Sequence, residues 1–120
     1  MKKVTEINCE NTEELEFCFC PVEGIINIIS KKWALAIIGT ISNFKKIRFN
    51  EILKNIKGIS PKSLSDRLKE LNKADLIKRE IYPEIPPKVE YSLTQDGIEV
   101  RKAMMPLMEW AHKKSLQNDK

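Results

Sequence analysis

One stretch near the middle of the chain limits the folds that this sequence can adopt. Ser60 and Pro61 form a strong helix start, because Ser is a preferred N-cap residue and Pro suits the first helical position. Leu64, Leu68 and Leu71 then recur at i, i+4 and i+7, so they share one face of a helix. The pattern predicts an amphipathic helix that starts at Pro61 and packs its leucines inward.

The residues on either side of this helix predict its neighbours. A shorter helix, Glu51–Ile56, capped by Asn50, precedes it. After it, Ile77–Tyr82 and Lys88–Leu93 alternate with a period of two residues, as β-strands do. The connection Pro83–Pro87 holds prolines, which cannot donate to a β-ladder, so it predicts a stiff projecting loop. Two short helices followed by a hairpin is the layout of a winged helix-turn-helix.

Three further helices are predicted around this unit. Pro21 precedes a short helix at Val22–Ile29, and Ser30 is expected to cap a buried helix at Lys31–Ser42. A final helix runs from Gln95 to about Leu116 after a Thr N-cap. The predicted fold class is therefore mostly α with a small β-hairpin (α+β), a winged helix-turn-helix that is dimeric through its terminal helices.

Charge is distributed unevenly along the chain. Residues 1–23 hold two Lys and six Glu, a net charge of −4, and residues 1–19 are predicted to form a loose acidic arm. Residues 45–88 hold twelve Lys or Arg and six Asp or Glu, a net charge of +6. Such a surface attracts phosphate by counterion release, although a solvated lysine-rich surface has the same composition.

The outward face of the Pro61–Asn72 helix is the predicted DNA-reading surface. Two lysines and an aspartate lie nearly opposite the leucines, at about 100° per residue, and two serines and an arginine flank them. A major groove ~12 Å wide admits one such helix. Two alternatives stay open: an ordinary amphipathic helix with a solvated face, and a winged-helix protein–protein interaction module without DNA binding. The predicted DNA-binding residues are Arg48, Ser60, Lys62, Ser63, Ser65, Asp66, Arg67, Lys69, Arg79 and Lys88.

These residues are assigned different contacts with double-stranded DNA. Lys62, Asp66, Arg67 and the serines between them are predicted to contact bases. The negative charge of Asp66 repels phosphate, but its carboxylate can accept a hydrogen bond from a cytosine amino group. Arg79 and Lys88 are predicted to meet phosphate from the hairpin, Ile77–Leu93, with Lys88 at the base of the loop and Arg79 across from it.

The final helix carries more apolar surface than one chain of this size can cover. A helix that is apolar on more than one face is normally buried, and two-fold dimers are the commonest assembly. The competing interpretation is a ligand pocket, because Met side chains pack adaptably. Pro106 predicts a kink or a break in this helix. The predicted dimer-interface residues are Ile25, Ile29, Met104, Met105, Leu107, Met108, Trp110 and Ala111.

The remaining sequence signals argue against enzymatic, metal-binding and membrane functions. Three cysteines lie within the first 20 residues, an odd number without zinc-finger spacing, so neither a disulfide framework nor a metal or other cofactor is predicted. The single histidine, His112, is far from them in sequence, so a cysteine enzyme is not predicted. Trp33–Ile41 is too short to cross a bilayer, and the N-terminus lacks a signal segment, which predicts a cytoplasmic protein.

Several motifs, in this order, resemble the HxlR-type winged helix regulators. They are Cys20-Pro21-Val22-Glu23, Lys32-Trp33-Ala34-Leu35, Arg48–Leu53, Ile59–Leu71 and Pro86–Thr94 followed by Gly97. The resemblance covers about residues 20 to 116, and the domain is expected to span residues 20–118. It implies a dimeric, MarR-like transcription regulator that places the helix from Pro61 in the major groove and the wing on the DNA backbone.

The resemblance also implies a role for a cysteine. Some members of the family sense electrophiles or oxidants through a cysteine where Cys20 stands here. This chain carries Cys18 two residues earlier, so the resemblance leaves open which thiol reacts. A following helix start lowers the pKa of a thiol, whereas Glu23 opposes that effect. The alternative is a reduced cysteine packed near the dimer interface, and an oxidant or small-molecule effector is left unspecified.

Overall fold

The computed structural model describes residues 24–118 as helices packed around a two-stranded antiparallel hairpin. Residues 1–19, Cys18 and Cys20 lie outside the described residues, so the predictions made for them stay predictions. The elements, in chain order, are α1 (Gly24–Ile29), α2 (Ala34–Ser42), α3 (Phe49–Asn55), α4 (Pro61–Lys73), β1 (Ile77–Tyr82), β2 (Lys88–Leu93) and α5 (Gln95–Asn118). The predicted mostly α fold with a small hairpin is confirmed.

The hydrophobic core lies where α2, α3, α4 and the hairpin meet. Leu68 of α4 is only 2% exposed, and the other two leucines of its stripe are buried as well, as their spacing predicts. The buried core residues are Ile37, Ile38, Ile41, Ile47, Ile52, Ile56, Ile59, Leu64, Leu68, Leu71, Leu76, Ile77 and Tyr91. Burial of these side chains fixes the orientation of α4, and its opposite face therefore points away from the core.

The start of α2 differs from the prediction. Ser30 does not cap this helix; its hydroxyl donates instead to the carbonyl oxygen of Asn27 at 3.4 Å. Trp33 has a left-handed backbone (φ +78°), so the helix begins only at the next residue. The indole packs against the core, and its Cη2 lies 3.6 Å from where a Cβ would stand on Gly58. Packing of the Trp33 ring thus overrides the local cap signal, and Gly58 has a left-handed conformation (φ +89°).

The two helices of the helix-turn-helix begin with different caps. The prediction that Asn50 caps α3 is wrong, because the helix starts two residues earlier and Arg48 occupies the cap position. The side chain of Glu51 accepts from the backbone N–H of Arg48 at 3.0 Å, which satisfies a donor that the helix leaves free. For α4 the prediction is confirmed: the Ser60 hydroxyl accepts from the backbone N–H of Ser63 at 3.0 Å.

The hairpin has the strand bounds that the sequence predicts, but its register corrects one expectation. Arg79 pairs with Tyr91, whereas Lys88 pairs with Tyr82. Since side chains alternate along a strand, Arg79 and Lys88 lie on opposite faces of the hairpin rather than across from each other. Ile47 forms an additional bridge to Tyr91, through N–H···O distances of 3.0 and 2.8 Å, and ties the segment before α3 to the wing.

The last helix is anchored at its start and unsupported at its end. The Thr94 hydroxyl accepts from the backbone N–H of Gly97 at 3.1 Å and donates to the carbonyl oxygen of Asp75 at 2.7 Å. A Cβ on Gly97 would collide with the carbonyl oxygen of Leu76, so only glycine allows this approach. The helix continues through Pro106, so a break there, one of the two predicted effects, does not occur.

No helix in residues 24–118 combines the length and the apolar character that a membrane span needs. The second half of α5, residues 106–117, is exposed at every position. That half includes Leu107, which is 57% exposed, and Trp110, which is 58% exposed. Within this protomer α5 therefore buries only its first half.

Candidate nucleic-acid interface

The outward face of α4 is polar and carries two exposed lysines. The side chain of Lys62 is 85% exposed, and Lys69 is exposed as well. Ser63, Ser65 and Asp66 are half-buried beside them. The face therefore lacks the apolar residues that a protein-interaction helix would present, and its short side chains allow close approach of the helix backbone to a groove.

Asp66 does not leave an isolated negative charge on this face. The ammonium of Lys62 lies 3.2 Å from its carboxylate, one helical turn away. A pair of this kind on an exposed helix contributes only about 0.3–0.5 kcal/mol. Lys62 and Asp66 thus contact each other while no ligand is bound, and both can exchange this partner for a base edge or a phosphate at little cost.

The flank of α4 that faces α1 is held by ion pairs. Arg67 lies 3.0 Å from one oxygen of Glu70, and Lys31, between α1 and α2, lies 3.1 Å from the other. The side chain of Arg67 is only 20% exposed. The structure thus places Arg67 beside Glu70, apart from the outward lysines, and a base contact by Arg67 requires this ion pair to open.

The opposite flank of α4 faces the hairpin across a cleft of about 350 Å³. Arg79 belongs to the hairpin face that looks toward α4, and it lines the cleft together with Lys69. The lining residues are Phe49, Ser65, Leu68, Lys69, Asn72, Arg79 and Tyr91. The structure therefore brings together three of the predicted DNA-binding residues, Ser65, Lys69 and Arg79, around one concave site.

Lys88 belongs to a separate cluster on the far face of the hairpin. Its ammonium lies 5.4 Å from the centre of the Tyr82 ring and 3.5 Å from the Glu90 carboxylate. Lys46 donates to the Tyr82 hydroxyl at 2.8 Å and lies 3.1 Å from Glu80. These contacts join the segment after α2 to the wing, and Lys88 stands beside them, apart from the α4 cleft.

The pKa values of this cluster reflect its hydrogen bonds. The hydrogen bond to Tyr82, followed by the contacts with Glu80, raises the pKa of Lys46 well above its ordinary value of 10.5. The contact with Lys46, followed by the hydrogen bond from Tyr82, lowers the pKa of Glu80 below its ordinary value of 4.5. Both shifts favour the charged forms of the two groups, which contact each other between the wing and the segment after α2.

Arg48 and Ser60 are the N-cap residues of α3 and α4. Arg48 is exposed and lines a second cleft, of about 390 Å³, with Pro87 and Val89 at the base of the wing loop. The Ser60 oxygen accepts the capping hydrogen bond, so its hydroxyl proton is still free to be donated to a phosphate. Both positions lie next to exposed helix starts, where backbone N–H groups favour anions.

Sequence reasoning missed three features of this surface. Asn72 lines the α4 cleft, and its signal was available: Ser65, Lys69 and Asn72 repeat the i, i+4, i+7 spacing of the leucine stripe one residue later. The attachment of Lys46 to the wing and the ion pair of Lys31 with Glu70 had no such signal, because they join residues far apart in sequence. The pair of Arg67 with Glu70 did have one, because the two residues are spaced i, i+3 on one helix.

The predicted dimer-interface residues fall into two groups. Ile29 and Met104 are half-buried against the core of their own protomer, and the Met104 methyl lies 3.3 Å from where a Cβ would stand on Gly39. Met105 is half-buried on α5. The residues whose side chains project into solvent are Ile25, Leu107, Met108, Trp110 and Ala111. An interface built on α5 therefore uses mainly its second half.

Comparisons with known proteins agree with this architecture. Residues 28–119 match the family model described as HxlR-like helix-turn-helix. An uncharacterised HTH-type transcriptional regulator of Methanothermobacter thermautotrophicus is 42% identical over 91 residues, which covers 76% of this chain and 69% of the relative.

Solved structures show the same similarity in three dimensions. A possible HxlR family transcriptional factor from Thermoplasma volcanium superposes with a TM-score of 0.74 at 30% identity, over 87% of this chain and 90% of the other. Diamide-treated YodB from Bacillus subtilis superposes with a TM-score of 0.64 at 34% identity, over 72% and 85% of the two chains. With the family model matching most of its length, the chain belongs to the HxlR-like helix-turn-helix family, whose members are transcription regulators rather than enzymes.

Proposed function

We propose that this protein is a cytoplasmic homodimer that binds specific sequences in double-stranded DNA, with α4 in the major groove and the hairpin on the backbone. The observation that carries the proposal is the outward face of α4, where Lys62 and Lys69 project beside the half-buried serines. The leucine stripe on the other side of α4 holds this face in a fixed orientation. A fixed, polar and narrow helix is the element that reads base edges in a major groove.

The pairing of the basic residues supports the same conclusion. Within residues 24–118, the side-chain nitrogens of Lys69, Arg79 and Arg48 have no carboxylate within 4 Å, whereas those of Lys62, Lys88 and Arg67 each have one. Positive charges without a protein partner are available to phosphates, and counterion release then strengthens binding. These three residues are our first candidates for backbone contacts, with Lys88 a weaker one.

The exposed half of α5 supports the dimer. Leu107, Met108 and Trp110 lie within one helical turn and are exposed in the protomer. A cluster of exposed large apolar residues on one helix favours association, and a two-fold partner would cover it with the same helix. Two copies of α4 would then face two successive turns of one DNA face.

DNA binding is tested by fluorescence anisotropy with genomic DNA fragments at several salt concentrations. We expect log K to fall linearly with log salt, because each neutralised phosphate contributes about −0.9 to the slope. Lys69→Ala should weaken binding and reduce the slope by about 1. Lys102→Ala, which removes the same charge from an exposed position of α5, is the matched control. Weak binding of all duplexes without a salt slope would overturn the proposal.

A thiol response through Cys20 is a further part of the proposal. It is supported by the family resemblance around Cys20 and by the similarity to YodB, whose solved structure followed treatment with diamide. We expect diamide to change the DNA affinity of the wild-type protein and not that of Cys20→Ser. Cys18→Ser is the matched control, and an unchanged response in Cys20→Ser excludes Cys20 as the sensor.

A further inference from the structure

We propose that the groove between α1 and α4 binds an acidic, aromatic segment of the same chain, residues 14–19, and thereby fastens the N-terminal arm to the flank of α4. The groove lies on the side of α4 that faces α1 and shares no lining residue with the cleft beside the hairpin. The proposal goes beyond DNA binding and does not depend on it.

The groove has an apolar lining that the described residues leave partly uncovered. Ile28 of α1 and Ala74, at the end of α4, are half-buried against the core and line the groove. The hydrocarbon stems of Lys31 and Lys73 extend this apolar surface. Within residues 24–118, no residue of α1 is fully buried. A further segment that covers Ile28 would therefore add to the packing of α1.

The rim of the groove carries more positive than negative charge. Among its lining residues only Glu70 bears a carboxylate, which lies 3.1 Å from Lys31 and 3.0 Å from Arg67. The ammonium of Lys73 has no carboxylate within 4 Å among residues 24–118. Three cations around a single anion favour an acidic ligand.

Glu70 also offers an acceptor that suits a peptide. Its Oε1 atom is buried and lies 3.0 Å from Arg67 Nη1, yet it accepts no hydrogen bond of good geometry from residues 24–118. Buried acceptors are normally satisfied, and backbone N–H groups are strong donors. A peptide in the groove would supply such a donor, which an apolar small molecule does not carry.

Residues 14–19 have the composition that this groove requires. Two glutamates alternate there with a leucine and two aromatic residues, Phe17 and Phe19. The groove, at about 240 Å³, has room for one phenyl ring, since an apolar cavity of ~150 Å³ already binds benzene. A ring on the apolar lining, with a glutamate beside Lys73, would match the lining and the rim together.

The connection between the segment and the groove is long enough. Phe19 precedes Gly24, the first residue of α1, by five positions, so an extended chain at about 3.3 Å per residue spans roughly 16 Å. Ile28 lies about 6 Å beyond Gly24 along the helix axis. A short tether also raises the effective concentration of the segment to the millimolar range, which favours the same chain over a separate protein.

The contact is tested on the full-length protein by NMR. We expect NOEs between the ring protons of Phe17 or Phe19 and the methyl groups of Ile28 and Ala74. The double substitution Phe17→Ser and Phe19→Ser should remove these NOEs and shift the amide signals of the groove residues. Phe44→Ser, which removes an exposed ring after α2, is the matched control and should leave those signals unchanged. Absence of the NOEs, or equal amide shifts in the double variant and the control, would overturn the proposal.

Charge reversal tests the ionic part of the contact through the NOE intensities at constant ionic strength. Lys73→Glu should lower the equilibrium constant for docking about 5-fold, because an attraction at the rim becomes a repulsion. Adding Glu14→Lys and Glu16→Lys to the same chain should restore docking. Lys102→Glu, at an exposed position of α5, is the control and should have no effect. Unchanged docking in Lys73→Glu, or no recovery in the combined variant, would contradict the pairing of the arm with this rim.

A sample that mixes 13C-labelled and unlabelled chains shows whether the contact lies within one chain. We expect the NOEs within a chain, and NOEs between labelled and unlabelled chains would overturn docking in the same chain. The groove residues differ from those proposed to contact DNA. Loss of specific DNA binding would therefore leave the docked arm standing, and absence of the NOEs would leave the proposed function standing.

Discussion

Helices α4 and α5 both carry large apolar residues, but they bury them differently. In α4 the stripe at Leu64, Leu68 and Leu71 is buried, and the polar residues face outward. In α5 the large apolar residues of the second half, such as Leu107 and Trp110, remain exposed. The apolar spacing of α4 matches one helix face, whereas that of α5 spreads around its helix.

A single chain therefore completes the packing of α4 but leaves the second half of α5 uncovered. The core of a single protomer orients α4 and thereby creates the surface proposed to read DNA. The exposed half of α5 is stabilised by contacts within the helix, namely its hydrogen bonds and the Lys114 ammonium 6.0 Å from the centre of the Trp110 ring. A helix segment of this length is marginal in water without tertiary packing. We therefore attribute the folding of the winged helix-turn-helix to one chain and propose that a second copy orders the end of α5.

The largest effect is expected in the core under α4. Leu68→Ala should reduce the free energy of unfolding by about 2–5 kcal/mol, because it creates a cavity beneath the helix. Urea unfolding at fixed protein concentration measures this loss. Lys69→Ala, the adjacent exposed position, is the control and should change stability by less than about 0.5 kcal/mol. Equal effects of the two substitutions would contradict the packing described for α4.

The next largest effect is expected on dimerisation through α5. The double substitution Leu107→Lys and Trp110→Lys should weaken dimerisation by at least about 2 kcal/mol, or roughly 30-fold, because central apolar contacts dominate interface energetics. Sedimentation equilibrium measures the dissociation constant. Glu99→Lys introduces the same charge into the first half of α5 and should leave the dimer intact. A double variant that dimerises like wild type would remove α5 from the interface.

The sequence predicted the parts of the fold that local physical chemistry determines. The α4 cap at Ser60 and both hairpin strands follow from capping, helical periodicity and proline chemistry within a few neighbouring residues. The errors arose where tertiary packing competes with a local signal. Trp33 packs against the core and moves the start of α2 beyond Ser30, and the Glu51 side chain replaces Asn50 as the capping group of α3.

The sequence predicted which residues of the candidate site are exposed, but not how residues from different elements lie relative to each other. Helical spacing is sufficient to place Lys62, Ser65 and Lys69 on the outward face of α4. The register of the hairpin decides that Arg79 faces α4 while Lys88 does not. Alternation along the strands puts Arg79 and Lys88 on opposite faces, but only the packing of the hairpin against the helices brings Arg79 to the same cleft as Lys69.

A smaller effect distinguishes the ion pair on the α1-facing flank of α4 from the ion pair on its outward face. A double-mutant cycle on Lys31→Ala and Glu70→Ala should give a coupling energy of up to about 1 kcal/mol, because the pair joins α4 to the segment after α1. The exposed pair Lys62 and Asp66 should give about 0.3–0.5 kcal/mol in the same urea-unfolding assay. A zero coupling for the first pair would show that α4 is held by its leucines alone.

The smallest effect is the pH response of the wing cluster. Because its pKa is lowered in the folded state, Glu80 stabilises the fold above its ordinary pKa of 4.5, and this contribution is lost as the pH falls through the lowered value. The raised pKa of Lys46 adds stability below 10.5 that is lost as the pH rises through the raised value. In an NMR pH titration, Lys46→Met should move the Glu80 midpoint up toward 4.5. An unmoved midpoint would contradict the contact.

The central claim is that two copies of α4, held by paired α5 helices, read one DNA site. The most direct test is selection of bound fragments from a genomic DNA pool by the full-length protein, followed by sequencing. We predict enrichment of two half-sites related by two-fold symmetry, with centres about 10 base pairs, or a multiple of that spacing, apart. Enrichment of a single undivided site, or of no sequence at all, would contradict the account.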